Sequence, residues 1–557
     1  MPVTPTFPGI YIEEIASSAH TITAAPTSIA VFVGYTHPFK TKDGNFAKPV
    51  RLFSFAEYER EFGGFFSNAG FEQPDEFGSV AYAVNQFFLN GGAECYVVGL
   101  RAKALVGSPP TPTDISPSSV TVGGVTFKTR EPIDANHQMT IRVDNLKPSA
   151  TGSPSLDTIA DITVTYGSGP GAQVEKFRQV SLEPKILGKP NPNFVQNRIG
   201  TSENFVSSLL TVDTNQSSFP HHFTVPAGQN YDQSDAAHNP LSDCPPAGAT
   251  VFESGDFTDV FKDNWPLDKL PIFNLLILPG ITNNGILGEA ARFCEKKMAF
   301  LILDPPYLSA ADDFGGKVDD KSTQSIESLL GNTFVPPVEK NAALYFPYLR
   351  SSDPVTGDDI ELPPAGTVAG VFARTDVNRG VWKAPAGLET SILNTPGVVE
   401  RGKMSDQQQG VLNELGVNCL RDFPGSGTVV FGARTMVTAN PALKDMWRYV
   451  PVRRMALFLE QTLYANLGWV IFEPNDEPLW TAIKTSIEAF MLGLFRQQAF
   501  QGDTPSKAFL VKCDDQTTTQ EDINNGIVNI VVGFAPLKPA EFVIIKISQL
   551  AGQTQTS

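Results

Sequence analysis

The chain has 557 residues, with 42 Lys+Arg against 59 Asp+Glu, a net charge of −17 and only 18% charged residues. Hydrophobic residues make up 41%, which excludes wholesale disorder, and the length corresponds to about three or four domains. The acidic balance argues against nucleic acid as a partner, and no apolar run approaches the roughly 20 residues of a membrane-spanning helix.

Residues 1–20 read as an arm. Pro2, Pro5 and Pro8 punctuate it, and Ile10, Tyr11, Ile12 and Ile15 have the β-branched and aromatic content of a strand. The opening residues carry no Lys or Arg and no apolar core segment, so no signal peptide is expected and synthesis is placed in a cytoplasm. Residues 28–34 read as a buried strand. Helical spacing of Val80, Val84, Phe87 and Phe88 follows, ending at Asn90-Gly91-Gly92, and strand character resumes at 95–98.

From 101 to 245 the composition shifts to Ser, Thr, Pro, Gly and Asn, with short alternating runs at 120–126, 139–143 and 159–166. This predicts an inserted β-rich module. A strand at 273–278, a helix at 287–298 and a strand at 299–304 then predict a parallel crossover. Residues 308–340 read as a polar loop containing Asp312, Asp313, Asp319 and Asp320.

Val452, Met455, Ala456, Leu459 and Leu463 mark one face of a helix over 452–466. A second helix, capped by Asn475 or Asp476, has Pro478 in its first turn and Leu479, Ile483, Ile487, Phe490 and Leu494 on its apolar face. Three strands follow at 508–513, 527–534 and 542–547. The connector over 535–540 contains Pro536 and Pro539, poor chemistry for a tight hairpin. The last strand is therefore free to project away and pair with another molecule, as is the first. Exposed apolar strands at both ends would be an aggregation liability in a monomer and a joint in a polymer.

No catalytic constellation emerges. The five cysteines contain no Cys-x-x-Cys pair, and the adjacent His221 and His222 would point to opposite faces of a strand. The glycines between Gly167 and Gly171 lack the Gly-Lys-Ser/Thr ending of a phosphate loop. The aspartates from Asp312 to Asp320 lack the ligand spacing of a calcium loop. No metal, cofactor or catalytic residue is expected.

Several blocks together resemble the contractile tail sheath family, which includes sheaths of phage tails and of phage-tail-like injection systems. They are Pro8-Gly9-Ile10-Tyr11-Ile12-Glu13-Glu14, Phe87-Phe88-Leu89-Asn90-Gly91-Gly92, and Ala369-Gly370-Val371-Phe372-Ala373-Arg374-Thr375-Asp376 running on to Trp382. Gly432-Ala433-Arg434-Thr435, Tyr449 with Arg453-Arg454, Phe472-Glu473-Pro474-Asn475 and Pro539-Ala540-Glu541-Phe542-Val543-Ile544 continue the series. The resemblance covers roughly 1–100 and 270–550. It implies an α/β (α+β) multidomain fold: a tail-sheath-like core with an inserted β-rich domain and exchanged terminal strands. The expected division is an arm at 1–20, an α/β domain from 21–100 with 246–365, an outer domain at 101–245 and a C-terminal domain at 366–557.

In family terms the exchanged residues would be Ile10, Tyr11 and Ile12 at one end and Phe542, Val543, Ile544, Ile545 and Ile547 at the other. The host strands would carry Phe509, Val511, Val528, Ile530 and Val532, and the inner-tube contact would fall near Lys512, Asp514, Asp515, Glu521 and Asp522. The implied partners are other copies of the chain in six-fold stacked rings, an inner tube protein, baseplate and terminal cap proteins, and sheath paralogues. Nucleic acid and direct membrane insertion are not expected, and the particle would be a phage tail or an extracellular injection machine. The rival readings are a tube or capsid component, and a multidomain enzyme built around Asp304 at the end of a crossover strand. Arg374, Asp376 and Arg379 are expected to form a buried polar network.

Overall fold

The structure, a computed structural model, describes residues 20–66, 79–106, 111–122, 124–133, 138–148, 158–167, 172–201, 204, 206–212, 223, 250–251, 254–309, 314–319, 325–331, 333–354, 357, 359–439 and 444–546. Its centre is one eight-stranded sheet. The strands are β1 (Ala30–Tyr35), β2 (Val50–Leu52), β3 (Cys95–Leu100), β4 (Leu275–Ile277), β5 (Phe300–Leu303), β6 (Ala342–Phe346), β7 (Val417–Phe423) and β8 (Gly427–Val430). Their spatial order is β2-β3-β1-β4-β5-β6-β7-β8. Six central strands run parallel, while β2 and β8 close the two edges antiparallel.

β1, β4, β5 and β6 are buried at every position, as expected for a parallel sheet covered on both faces. Alternation decides which face each residue serves. Val31, Leu276, Leu301 and Leu344 pack with α3 (Asn284–Lys296) and α5 (Asp406–Glu414). Their neighbours Phe32, Leu275, Phe300 and Tyr345 face α1 (Phe55–Phe62), α2 (Ser79–Leu89) and α4 (Ala365–Arg379). Helix α4 lies very close to α2. A Cβ on Gly366 would sit 2.7 Å from the Ala83 Cα, and one on Gly370 would sit 2.6 Å from the Phe87 carbonyl oxygen. Only glycine permits that approach.

Two readings change here. Residues 314–319 and 326–330 are helices rather than loop, because Phe314, Val318, Leu329 and Leu330 reach the core beneath the sheet. Asp312, Asp313 and Asp320 lie outside the described residues, and Asp319 accepts a hydrogen bond from Gln408. The expected border at 365/366 cuts through the sheet, since β6 pairs with β7 across it. The discrete C-terminal unit starts later, at α6 (Val450–Asn466).

The chain leaves the sheet after β3 and returns before β4 through strand Lys103–Val106, which pairs with Thr111–Asp114 and Thr250–Val251. Between them, Met139–Pro148, Thr158–Tyr166 and Gln173–Ser181 form one antiparallel sheet and Ser119–Val122, Val125–Thr129 and Leu210–Val212 another. Both share a core including Phe127, Ile141, Ile162 and Leu210. The glycine run near 167–171 falls between two antiparallel strands, with Gly167 at φ +85°. A buried polar cluster ties this module to the sheet. His37 Nδ1 accepts from the Phe39 and Lys40 amides at 3.2 Å each, so Nε2 donates to Glu131 at 3.1 Å. Lys40 also pairs with Glu131, and burial holds the His37 pKa below its usual value.

Candidate functional site

The C-terminal unit packs α6 and α7 (Glu477–Arg496) against a hairpin of β9 (Phe509–Lys512) and β10 (Val531–Phe534). Asp476 caps α7 by accepting from the Leu479 amide at 3.2 Å, while Asn475 accepts from the Trp480 indole at 2.8 Å. Helix α6 is not simply amphipathic: Arg453, Arg454 and Gln461 are buried along with its apolar residues.

Those polar groups have partners. Arg454 makes a bidentate pair with Asp376 at 2.8 and 2.6 Å, donates to the Thr27 carbonyl at 2.9 Å, and stacks 4.8 Å from the centre of the Phe372 ring. Gln461 donates to the Phe273 and Met298 carbonyls and accepts from Asn274. The expected polar network therefore centres on Asp376. Arg379 pairs instead with Glu389 at the surface, and Arg374 donates to the Ser391 carbonyl.

The same helix fixes the root of the N-terminal arm. Asn466 exchanges two hydrogen bonds with the backbone of Thr23, at 3.0 and 2.8 Å, and Thr462 accepts from the Ala25 amide at 3.1 Å. Ile22 joins the core of the C-terminal unit, and His20 stacks on Trp469 at 3.9 Å. Ile10, Tyr11 and Ile12 lie outside the described residues.

The C-terminal arm has a different root. β9 and β10 pair Phe509 with Phe534 and Val511 with Val532; among the described residues they form a two-stranded sheet. Leu510 and Val531 on it are exposed. The strand expected over 527–534 is shorter: Ile527 donates its amide to the Asp522 carbonyl and Asn529 donates to the Thr518 hydroxyl. Val528 and Ile530 consequently lie before β10 and pack against the C-terminal core. After β10, Ala535 is bonded to Ala508 and Gln501, and the chain then lines a cleft of about 1110 Å³ instead of turning back.

At Glu541 the chain is held again. Arg434 Nε and Nη2 donate to its two carboxylate oxygens at 2.9 and 2.6 Å, and the Tyr449 hydroxyl adds a bond of 3.2 Å. Phe542, Val543, Ile544 and Ile545 follow immediately, between 74% and 82% exposed and outside any strand. Ile547 lies beyond the described residues. The sequence separates Arg434 from Glu541 by 107 residues, so their pairing was not readable from it. One signal was present, a lone carboxylate at the head of an otherwise apolar terminal run.

The proposed tube-facing residues divide into two groups. Asp514 accepts from the Gln516 and Thr517 amides, and Asp522 closes a capping box with Thr519, which lowers its pKa. Lys512, Asp515 and Glu521 are exposed. Asp304 is fully enclosed. Its oxygens accept from the Gly280 amide at 3.0 Å and from the Ala365 amide at the start of α4 at 2.7 Å, and burial pushes its pKa up to about 7. It joins the end of β5 to the start of α4. Cys95, Cys294, Cys419 and Cys513 are free and buried.

Residues 272–436 match the phage tail sheath protein central domain. The tail sheath protein of Vibrio phage KVP40 is 27% identical over 134 residues, 24% of this chain and 19% of that protein. The chain spans between about a fifth and a third of the length of the curated tail sheath proteins it matches. A chain of the anti-feeding prophage baseplate superposes with a TM-score of 0.54 at 21% identity, covering 98% of this chain and 100% of that one. A chain from the contracted sheath complex of the extracellular contractile injection system PVC gives 0.54 at 19% identity, covering 98% and 99%. Residues 272–436 thus match the phage tail sheath central-domain family, and the chain as a whole has the fold of these chains from contractile systems.

Proposed function

We propose that this chain is the structural subunit of a contractile sheath that polymerises helically around an inner tube and shortens to drive that tube through a target envelope. The observation that carries the reading is the exposed apolar run Phe542–Ile545, on a chain whose C-terminal unit also holds a two-stranded sheet with exposed Leu510 and Val531. Burying one such side chain is worth about 1.5–3 kcal/mol, so four of them on a neighbour supply a substantial gross driving force. Strand addition supplies the backbone hydrogen bonds that the run lacks in a single copy.

The exchanged residues are Ile10, Tyr11, Ile12 and Phe542, Val543, Ile544, Ile545, Ile547, and the hosts are β9 and β10 of other copies. Contacts of this head-to-tail kind do not close on themselves and generate a filament. Rings of six, an inner tube reached through Lys512, Asp515 and Glu521, and baseplate and cap proteins at the two ends complete the proposed particle. The energy is stored in an extended state and released by rotation of rigid bodies.

Removing residues 542–557 tests this. The truncated chain is expected to fold with unchanged melting temperature and to form no tubes in negative-stain electron micrographs, where the full chain does. Tubes of normal width from the truncated chain would overturn the reading.

A further inference from the structure

We infer that the C-terminal arm takes its direction from the central sheet through Arg434, and that the Arg434–Glu541 pair is a latch that presets the arm before it reaches a neighbour. This rests on the strand-exchange reading and adds to it the residues that aim the strand.

Glu541 is held from outside its own unit. The connector leaves the hairpin at Ala535, whose backbone bonds Ala508 and Gln501, and it contains Pro536 and Pro539, which restrict its own turning. Pro536 bridges Phe500, and the connector then reaches Arg434, whose side chain is 7% exposed against 16% for Glu541. Arg434 is itself immobilised. Its Nη1 donates to the Asn413 carbonyl at 2.7 Å, and its amide donates to Asn418 Oδ1 at 2.6 Å. Asn418 in turn donates to the Arg434 carbonyl at 2.7 Å and the Leu344 carbonyl at 3.1 Å, which roots the arrangement in β7 and β6. A planar guanidinium gripping both carboxylate oxygens fixes orientation as well as position. The first exposed apolar residue, Phe542, comes directly after that grip.

The connector is therefore a strap pinned at both ends, at Ala535 to the C-terminal unit and at Glu541 to the central sheet. Two consequences follow. A strand with a fixed point of departure meets its host at a higher effective concentration than a free tail does. Any rotation of the central domain is also passed to the joint through Arg434, independently of the hairpin the arm grew from. Arg434 and Glu541 are positioning residues for assembly, and Tyr449 supports them.

The test uses the full chain in four forms: wild type, Glu541→Ala, the exchanged pair Arg434→Glu with Glu541→Arg, and truncation after residue 541. A nitroxide at Ala540→Cys, in a Cys244→Ser background, reports arm mobility in the monomer. Sedimentation against concentration reports assembly. Glu541→Ala is expected to sharpen the nitroxide spectrum, leave the melting temperature nearly unchanged and raise the concentration needed for polymer by about tenfold, which is about 1.4 kcal/mol. The exchanged pair is expected to recover part of both readouts, which a mere packing role would not. An unchanged spectrum, or wild-type assembly by Glu541→Ala, overturns the latch. If the truncated chain alone fails to assemble, the strand-exchange reading survives that result; if it assembles normally, that reading fails first.

Discussion

Two arginines in this protein grip a carboxylate with the same bidentate geometry and have opposite consequences. Arg454 and Asp376 are 3% and 2% exposed, enclosed by α4, α6 and the Thr27 segment. Arg434 and Glu541 sit where a strap lies over the body, and one partner belongs to a segment that can lift away. Removing a partner in the first place strands a charge that water cannot reach. In the second, the strap moves and water hydrates the arginine. Whether both partners belong to the packed body separates an element of the fold from an element of the joint, although the hydrogen bonds are alike.

The largest expected break in that comparison is Asp376→Ala. It leaves Arg454 buried and unpaired and should cost roughly 3–5 kcal/mol in denaturant unfolding. Glu541→Ala should cost about 1 kcal/mol or less in the same assay while impairing assembly. Equal losses of stability at the two sites would refute the distinction.

A buried carboxylate held, among the described residues, by two backbone amides sharpens the point. Burial raises the Asp304 pKa to about 7 in the folded state, above the ordinary 3.8, despite the Gly280 and Ala365 amides that oppose the shift. The folded protein then binds more protons than the unfolded chain between those values, so this group's contribution is complete below pH 4 and is lost as pH rises through 7. Wild type is expected to lose about 2 kcal/mol between pH 5 and pH 8 relative to Asp304→Asn. Parallel pH profiles for the two proteins would show that Asp304 ionises in the fold at its ordinary pKa, with no upward shift.

The smallest effect concerns the N-terminal root. Asn466→Ala removes two hydrogen bonds to Thr23 at the surface and should cost about 1 kcal/mol or less. The Thr23 and Ala25 amides should exchange faster with solvent while β1 amides keep their protection. Unchanged exchange at Thr23 would mean that the Thr462 bond to Ala25, the burial of Ile22 and the stacking of His20 on Trp469 hold the arm root without Asn466.

Local pattern determined a good deal of this protein. The continuous apolar runs around Ala30–Tyr35, Leu275–Ile277 and Phe300–Leu303 identify strands buried on both faces, because only a covered parallel sheet hides such residues. The spacing along 477–496 identifies α7, and the two prolines of the connector speak against a hairpin at the C-terminus. Blocks resembling the sheath family named residues that the fold brings together, Arg434, Tyr449 and Glu541 among them.

Tertiary structure decided the rest, for reasons of distance and burial. No local pattern could assign β7 and β8 to the central sheet, since their partner β6 lies on the other side of α4 in sequence. The strand over 527–534 shortened because Ile527 and Asn529 found hydrogen bonds outside a ladder. The apolar face of α6 was legible, but the burial of Arg454 and Gln461 followed from partners that the N-terminal segment and the sheet ends supply. Partner choice over hundreds of residues depends on which charges the fold encloses together, and enclosure is a property of the packed chain rather than of any segment in it.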